Sequence, residues 1–390
     1  MRVLICNKFY YRRGGDCVYA MQLERLLRSH GHEVAVFAMD HPDTVGTPWR
    51  SYFPDEVNLD TKISRVRFTL RTLGIGSVAS RFKALLSDFR PEVVHLGNIH
   101  SQLSPIIAEI AHRQGCKVVW TLHDYKLLCP RYDCLRYGET PCESCFHDKK
   151  NVVRYRCMKD SLAGSIAGWL EATRWDRRRL ESFTDAFICP SRFMSQKMEQ
   201  GGFDPVRLHI LCNFFDAGES GAGLDLPRED YYCYVGRLSQ EKGISRLVDV
   251  ARHLPWKLLV VGDGPLRDSL GESSSIVYTG RKDFETVCRI VRQARFLVLP
   301  SEWYENNPLS IIESLCLGTP VLGADIGGIP ELIDAGRNGM LFESGNEGDL
   351  ERKIESMYET DFHYGDIAAA ARKRFSHEAY YESLMQIYSL

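Results

Sequence analysis

Two carboxylates, Glu305 and Glu313, lie on either side of a predicted helix start in the second half of the chain. An apolar run at 296–300 predicts a buried strand, and Asn307 as N-cap with Pro308 at the first helical position predicts a helix soon after it. The first amides of a helix lack intrahelical partners and carry the positive end of its dipole, so they can bind phosphate or sugar oxygens. Glu313 falls inside the helix among apolar residues, where a carboxylate needs a partner such as a ligand hydroxyl or an arginine. Taken alone, this spacing also fits a capped surface helix with two solvated glutamates.

Two cations, Arg237 and Lys242, follow a predicted strand that ends in Gly236. Cations at the carboxyl end of a strand can hold a phosphate, because Arg grips two oxygens at once while Lys acts as a mobile charge. A second apolar strand, within 258–265, stops in glycines that include Gly264 and allow close approach of a flat ring or a phosphate. A solvated loop and an ordinary strand-to-helix turn remain the simpler explanations of each segment by itself.

The elements that position these residues alternate between short apolar strands and helical stretches. With 390 residues, 44% of them apolar, the chain is long enough to bury two cores, which predicts an α/β protein throughout. We predict a first domain at 1–210, a second at 211–373 and a C-terminal helix within 374–390. A flexible Gly-rich loop is expected at 218–225.

In this order, the segments resemble the retaining glycosyltransferases of family 4, and the resemblance covers nearly the whole chain. The motifs that carry it are the 13–16 and 121–124 loops, 189–192, 235–243, 261–265, 278–280, the 305–313 motif and 327–331. The resemblance implies the GT-B fold, with two facing Rossmann-like domains and a central cleft. It also implies that the C-terminal helix crosses back to the first domain.

The resemblance assigns the donor diphosphate to residues from both halves of the chain. Arg237 and Lys242 would hold the diphosphate and stabilise the charge that develops on it, and the amides of Gly14 and Gly15 would contact it from the other domain. Gly264 would lie against the donor.

The resemblance assigns the transferred sugar and the ribose of the donor to the two carboxylates. Glu305 would bind hydroxyls of the transferred sugar, Glu313 would bind the ribose, and His123 would lie beside the reacting sugar. The residues after Glu305 that would assist it are Asn306, Asn307 and Pro308. The family is thought to react on one face of the sugar, so the protein supplies positioning and electrostatics and needs no nucleophile. No catalytic cofactor is expected, and the sequence has no Asp-x-Asp pair for a divalent metal.

The resemblance predicts transfer of a hexose or N-acetylhexosamine from a nucleotide-diphosphate sugar to a hydroxyl. The expected acceptor is a lipid-linked or polysaccharide glycan in cell-surface polysaccharide biosynthesis. The alternatives are another GT-B activity, such as a sugar-nucleotide epimerase or a phosphorylase, and a sugar-nucleotide binding protein without turnover. The chain shows no pyridoxal-lysine signature of a phosphorylase.

Charge is unevenly distributed along the chain. Residues 1–210 carry 31 Lys and Arg against 23 Asp and Glu, whereas residues 211–390 carry 18 against 28. A basic half suggests an acidic acceptor or an anionic membrane surface, and the segment 61–75 mixes cations with apolar residues as a helix lying on a bilayer does. A helix packed on its own domain has the same pattern. Nucleic acid is excluded as a partner because no recognition motif is present and the pI is near neutral, about 6.6.

A Cys-rich insertion at about 129–157 is the least expected feature. Its first four cysteines, with the spacing C-x4-C-x7-C-x2-C, are Cys129, Cys134, Cys142 and Cys145. Four thiolates favour a structural zinc, with an iron–sulfur cluster, unligated thiols and disulfides as the alternatives. Such a site would be structural, because four cysteine ligands leave no open position.

The cysteine count and hydropathy bear on location. Thirteen cysteines, together with the lack of a recognisable signal peptide, suggest a reducing cytosol, and the longest apolar runs are too short to span a bilayer. We expect a cytoplasmic protein that is peripheral at the inner face of the membrane.

Overall fold

The computed structural model describes residues 1–57, 59–215 and 227–390. The Gly-rich loop predicted at 218–225 lies outside these ranges. The described chain forms two compact units. The first comprises Met1–Tyr137, Cys142–Leu211 and Tyr381–Leu390, and the second comprises Gly138–Pro141 and Cys212–Tyr380.

Six parallel strands form the sheet of the first unit, in the order β2-β1-β3-β4-β7-β8. The strands up to residue 211 are β1 (Arg2–Cys6), β2 (Glu33–Phe37), β3 (Val93–Leu96), β4 (Lys117–Thr121), β5 (Leu135–Arg136), β6 (Thr140–Pro141), β7 (Ala186–Cys189) and β8 (Leu208–Ile210). The central strands read as continuous apolar runs because both faces of the sheet are covered. The strand order reverses at β1, which pairs with β2 on one side and β3 on the other.

Helices connect these strands. They are α1 (Gly15–Ser29), α2 (Lys62–Thr72), α3 (Ser77–Phe89), α4 (Ile106–Arg113), α5 (Asn151–Arg154), α6 (Leu162–Arg174), α7 (Arg177–Ser182) and α8 (Arg192–Gln200). Short 3₁₀ turns occur at Arg50–Tyr52 and Pro205–Arg207. The side chains of Thr61, Ser161 and Ser191 cap α2, α6 and α8, so sequence-local capping sets where these helices begin.

The second unit repeats this architecture. Its strands are β9 (Tyr231–Val235), β10 (Lys257–Val261), β11 (Ile276–Gly280), β12 (Leu297–Leu299), β13 (Val321–Ala324) and β14 (Gly339–Phe342), in the sheet order β11-β10-β9-β12-β13-β14. Its helices are α9 (Ile244–Ala251), α10 (Phe284–Gln293), α11 (Leu309–Cys316), α12 (Glu347–Glu359) and α13 (Tyr364–Arg374), with 3₁₀ turns at Gln240–Lys242 and Arg267–Ser269, and the chain ends with α14 (His377–Ser389). The strand pairs are parallel, and the order reverses at β9.

The two sheets, each of six parallel strands, confirm the predicted α/β class. In the described ranges, no helix combines the length and the apolar character that a membrane crossing requires.

Candidate functional site

The topology of the second unit places the predicted cations and Glu305 at adjacent strand ends. Arg237 and Lys242 follow β9, whereas Glu305 follows β12, and β9 and β12 are neighbours where the strand order reverses. In open parallel sheets, ligands bind outside the carboxyl ends of the strands at such a reversal. The fold therefore brings these three residues to the edge at which a ligand site is expected.

A buried ion pair joins the two loops. The Nζ of Lys242 donates to Oε1 of Glu305 at 2.6 Å, and Oγ of Ser301 donates to the same oxygen at 2.7 Å. Side-chain exposure is 22% for Lys242 and 7% for Glu305. Burial alone would raise the pKa of the Glu305 carboxyl, but the Lys242 charge and the hydrogen bonds from Lys242 and Ser301 outweigh it, so the pKa is lowered. Glu305 is therefore an ionised acceptor at neutral pH.

The loop that carries Lys242 is held against the end of β12. Gly243 has φ +66°, and a Cβ there would lie 1.8 Å from the carbonyl oxygen of Pro300. Only glycine permits this approach. The Lys242 ammonium also lies 4.8 Å from the ring centroid of Trp303, a cation–π distance. Backbone contact and side-chain contact thus fix the same lysine.

Arg237 differs from Lys242 in exposure and pairing. Its side chain is exposed, and no carboxylate of the described residues forms an ion pair with it. Its backbone is nevertheless fixed, because the Tyr234 hydroxyl donates to the Arg237 carbonyl at 2.7 Å. Arg237 can therefore offer an uncompensated guanidinium to an anion from an ordered loop.

Gly264 marks a second close approach between loops. A Cβ at Gly264 would lie within 2.7 Å of the backbone of Leu238. The Leu238 amide donates to the Asp263 carbonyl at 3.1 Å. The loops after β9 and β10 therefore pack backbone to backbone, which leaves no room for a side chain at Gly264.

The predicted start of the helix after Glu305 is wrong by one residue. Pro308, not Asn307, is the N-cap of α11, which begins at Leu309. The Asn307 side chain is engaged elsewhere, since its Oδ1 accepts the Asn213 amide at 3.0 Å. Asn306 is buried, and Glu313 lies half-buried at the start of the second turn of α11.

The first unit places Gly14 and Gly15 at the start of α1, directly after the loop that follows β1. Gly14 is the N-cap, and its carbonyl accepts the amides of Cys17 and Val18 at 3.1 and 3.0 Å. Asn98, after β3, donates to Asp16 at 3.3 Å. The glycines therefore lie at the reversal point of the first sheet, at a helix N-terminus of the kind that binds anions.

His123 follows β4 in the same unit. Its ring packs edge-on against Tyr19, with the ring centroids 4.6 Å apart. Its Nε2 is buried and finds no hydrogen-bond partner among the described residues. Burial lowers the pKa of His123 to about 4, with the Asp16 charge opposing the shift. The imidazole is neutral at pH 7 and has one ring nitrogen without a partner in the described chain.

A second buried histidine, His95, is fully hydrogen-bonded. Its Nδ1 lies 2.7 Å from the Tyr388 hydroxyl of α14, and its Nε2 lies 2.8 Å from Oγ1 of Thr121. Burial lowers the pKa of His95 to about 3. These bonds hold the end of α14 against β3 and β4.

The Cys-rich insertion contains a thiol pair. Cys129 and Cys134 are buried and hydrogen-bonded to each other, and the hydrogen bond from Cys134 lowers the pKa of Cys129 to about 7 despite burial. Cys145 is also buried, whereas Cys142 is partly exposed and its thiol lies 3.5 Å from Oγ of Ser144. Among residues 1–57, 59–215 and 227–390, no group of three or more His, Cys, Asp or Glu side chains is placed to hold a metal ion. The structure thus shows no preformed four-cysteine ligand set, and zinc binding stays a prediction.

Three residues next to Glu305 were not assigned to the site from the sequence: Ser301, Trp303 and Gly327. Gly327 has φ +62°, and a Cβ there would lie 2.4 Å from the Glu305 carbonyl oxygen. The Gly328 amide donates to the same oxygen at 2.7 Å. The glycine pair at 327–328 was the available signal, but nothing local in the sequence connects it to a glutamate 22 residues earlier.

Comparisons with known families divide the chain into two matching regions. Residues 13–219, more than half of the chain, match the family Glycosyltransferase Family 4. Residues 223–374 match the family Glycosyl transferases group 1.

Curated relatives match at low identity. An uncharacterized glycosyltransferase of Methanocaldococcus jannaschii is 28% identical over 184 residues, which cover 44% of this chain and 49% of the relative. An uncharacterized 42.6 kDa protein in the cps region of Klebsiella pneumoniae is 22% identical over 354 residues, 85% of this chain and 87% of the relative. For the Methanocaldococcus protein and several other curated relatives, the matched region spans about half of the relative's length or less.

A solved structure resembles the whole chain. Anabaena HepE in complex with UDP-glucose has a TM-score of 0.67 at 17% identity, with 100% of each chain covered. This likeness confirms the GT-B fold class.

Replacing Gly327 by alanine should destabilise the protein more than the backbone conformation alone explains. Gly327→Ala combines left-handed strain with a clash against Glu305, whereas the control Gly336→Ala has φ +81° and open space. We expect Gly327→Ala to lower the free energy of unfolding in urea by about 2 kcal/mol more than the control. Equal losses in the two variants would contradict the contact.

The buried imidazole of His123 should make stability depend on pH. Its folded pKa, about 4, lies below its ordinary value, so its contribution is complete above about pH 6.5 and is lost as pH falls from 6.5 towards 4. In His123→Asn, which cannot titrate, the free energy of unfolding should fall less between pH 7.5 and 5, by on the order of 1 kcal/mol. Parallel pH curves for the two proteins would show that the ring is not neutralised by burial.

Proposed function

Because this chain belongs to Glycosyltransferase Family 4, we propose that it is a retaining glycosyltransferase acting on a nucleotide-diphosphate sugar. It transfers a hexose or N-acetylhexosamine to a hydroxyl. The observation that carries the proposal is the buried Lys242–Glu305 ion pair at the reversal point of a parallel sheet, with the exposed Arg237 in the same loop as Lys242. Cations and an ionised carboxylate together suit a ligand with an anionic part and a polyol part.

The donor proposal rests on the charges at the end of β9. Arg237 grips two diphosphate oxygens, and Lys242 neutralises the charge that builds on the leaving group. The amides of Gly14 and Gly15 and the backbone at Gly264 complete the proposed donor contacts. The solved complex of HepE with UDP-glucose supports a nucleotide-sugar donor for this fold.

The sugar proposal rests on the ionised state of Glu305. A carboxylate kept ionised by Lys242 and Ser301 accepts hydrogen bonds from sugar hydroxyls, and Asn306, Asn307 and Pro308 shape the wall beside it. Glu313, at the start of the second turn of α11, takes the ribose hydroxyls.

The proposed reaction is a displacement on one face of the sugar. The bond from the anomeric carbon to the diphosphate oxygen breaks, the bond to the acceptor oxygen forms, and the acceptor proton passes to the departing diphosphate. His123, whose Nε2 is buried without a partner in the described chain, lies beside the reacting sugar. No catalytic cofactor is invoked, because positioning and charge stabilisation supply the rate acceleration.

The proposed acceptor is a lipid-linked or polysaccharide glycan. The Klebsiella relative from a cps region supports a role in polysaccharide assembly. We propose a cytoplasmic protein that works at the inner face of a membrane.

Removing either partner of the ion pair should strongly reduce turnover without unfolding the protein. Glu305→Gln and Lys242→Ala should each reduce turnover at least about 100-fold, because each removes charge from the reacting region. Arg352→Ala, which removes an exposed ion pair with Asp349, is the matched control and should retain full turnover. Circular dichroism should show intact folds, and near-normal turnover of both site variants would refute the assignment.

Donor class should appear as thermal stabilisation by one nucleotide. In a panel of UDP, GDP, ADP and CMP with their sugar conjugates, the true donor at 100 times its dissociation constant should add about 2.7 kcal/mol of stability. Arg237→Ala should remove most of this shift, while Arg352→Ala should not.

Product analysis with the stabilising sugar nucleotide separates the alternatives. Sugar released or transferred with free nucleotide diphosphate supports a transferase, an altered sugar on intact nucleotide supports an epimerase, and stabilisation without any product supports a binding protein.

A further inference from the structure

Many of the exposed apolar side chains lie on or beside two helices of the first unit, α2 and α6, that contact each other. Sixteen large apolar side chains are exposed in the described part of the chain, and eight of them lie on or beside α2 and α6. Those eight are Leu59, Ile63, Val66, Leu70, Ile75, Leu162, Ile166 and Leu170. Such clustering marks an interaction surface, whereas scattered single residues do not.

On α2 the exposed side chains have helical spacing. Ile63, Val66 and Leu70 are 75%, 60% and 40% exposed. Spacings of three and four residues put them on one face of the helix. One interpretation of the 61–75 segment was an amphipathic helix whose apolar face packs on its own domain. Such packing would bury these three side chains, so that interpretation is wrong for them.

The neighbouring helix α6 repeats the arrangement. Leu162, Ile166 and Leu170 follow each other at intervals of four residues and are 48%, 40% and 39% exposed. This second stripe has no counterpart in the sequence-based predictions. We call these three residues, together with Ile63, Val66 and Leu70, the α2–α6 patch.

The two helices are fixed to each other and to neighbouring loops of the first unit through other side chains. Arg71, buried near the end of α2, donates to the Asp55 carbonyl at 2.6 Å and to the Gln102 amide oxygen at 3.3 Å. Trp175, directly after α6, donates from its indole to the Thr72 carbonyl at 2.7 Å. The exposed stripes therefore sit on an anchored scaffold.

Positive charge accompanies the apolar stripes. Lys62, Arg65 and Arg67 are exposed on α2, which contains no acidic residue. Residues 61–90 hold seven Lys and Arg against one Asp. Lys62 and Arg65 lie at the N-terminal end of the helix, where the dipole disfavours cations. An anionic surface would offset this cost.

The same combination precedes α6. Three cations, Arg154, Arg156 and Lys159, and one carboxylate, Asp160, are exposed just before the helix begins, so the segment is net positive. Both helices thus join an apolar stripe to nearby cations, as an interfacial helix on an anionic bilayer does.

We propose that the α2–α6 patch docks this protein on a bilayer containing anionic phospholipid. The apolar side chains enter the interfacial region, and the flanking cations bind lipid phosphates. One part of this inference rests on the proposed function: the statement that this bilayer is the surface that carries the acceptor. Binding to the bilayer itself is independent of catalysis.

Vesicle co-sedimentation tests the proposal. The full chain is mixed with vesicles of phosphatidylcholine alone or with 30% phosphatidylglycerol, which makes roughly one lipid in three anionic. We expect at least about fivefold more binding to the anionic vesicles, weakened at 0.5 M salt because exposed charges are screened. The variants Ile63→Ser/Val66→Ser/Leu70→Ser and Lys62→Glu/Arg65→Glu/Arg67→Glu should each lower binding about tenfold. Leu162→Ser/Ile166→Ser/Leu170→Ser should lower it as well.

Matched controls use exposed apolar residues outside the patch. Val206→Ser/Val277→Ser changes side chains that are 82% and 44% exposed and should bind vesicles like the unmodified protein. All variants should keep the thermal shift produced by the donor nucleotide, which shows that they are folded.

Three results would overturn the proposal: no binding to anionic vesicles, equal binding by patch and control variants, or a dimer in solution that the patch variants convert to monomer. The last result would assign the patch to a second copy of this chain. Donor stabilisation without vesicle binding would refute the bilayer inference alone, whereas vesicle binding without donor stabilisation would refute the proposed function alone.

Discussion

The buried carboxylate of Glu305 sets the main constraint on the second unit. A charge that is 7% exposed is costly unless a counter-charge and hydrogen bonds replace water, and Lys242 and Ser301 supply both. Those partners must come from different loops, because Lys242 follows β9 while Ser301 and Glu305 follow β12. The parallel pairing of these two strands meets that requirement, because it brings both loops to the same edge of the sheet.

Glycine makes the close loop packing possible. Gly243 contacts Pro300, Gly264 contacts Leu238, and Gly327 contacts Glu305, each at a distance that excludes a Cβ. These contacts bring four chain segments to one edge of the sheet. They restrict the backbone of the loop that carries Arg237 and Lys242. A preorganised backbone lowers the entropy cost of binding an anionic ligand, which is consistent with a site that works through positioning.

Much of the fold and the location of the candidate site could be predicted from residue pattern. Buried parallel strands appear as short apolar runs, and residues such as Arg237 and Glu305 lie in the loops that follow those runs. The helix start after Glu305 was less predictable, because Asn307 is a good N-cap by type but its side chain binds the Asn213 amide instead. The four cysteines of the insertion suggested one metal site. The structure shows a hydrogen bond between Cys129 and Cys134, and in the described residues no group of three or more side chains is placed to hold a metal ion. Loop conformation decides which thiols meet.

The sequence by itself determined the α/β class, the membership in Glycosyltransferase Family 4 and the strand ends that carry the charged residues, because these follow from local apolar patterning and ordered motifs. Only the tertiary structure decided that Lys242 neutralises Glu305, which lies 63 residues away, and that His123 keeps a buried Nε2 without a partner in the described chain. It also decided that the apolar faces of α2 and α6 point outward. Periodicity gives a helix an apolar face, but contacts between residues remote in sequence determine whether that face meets the core or the solvent.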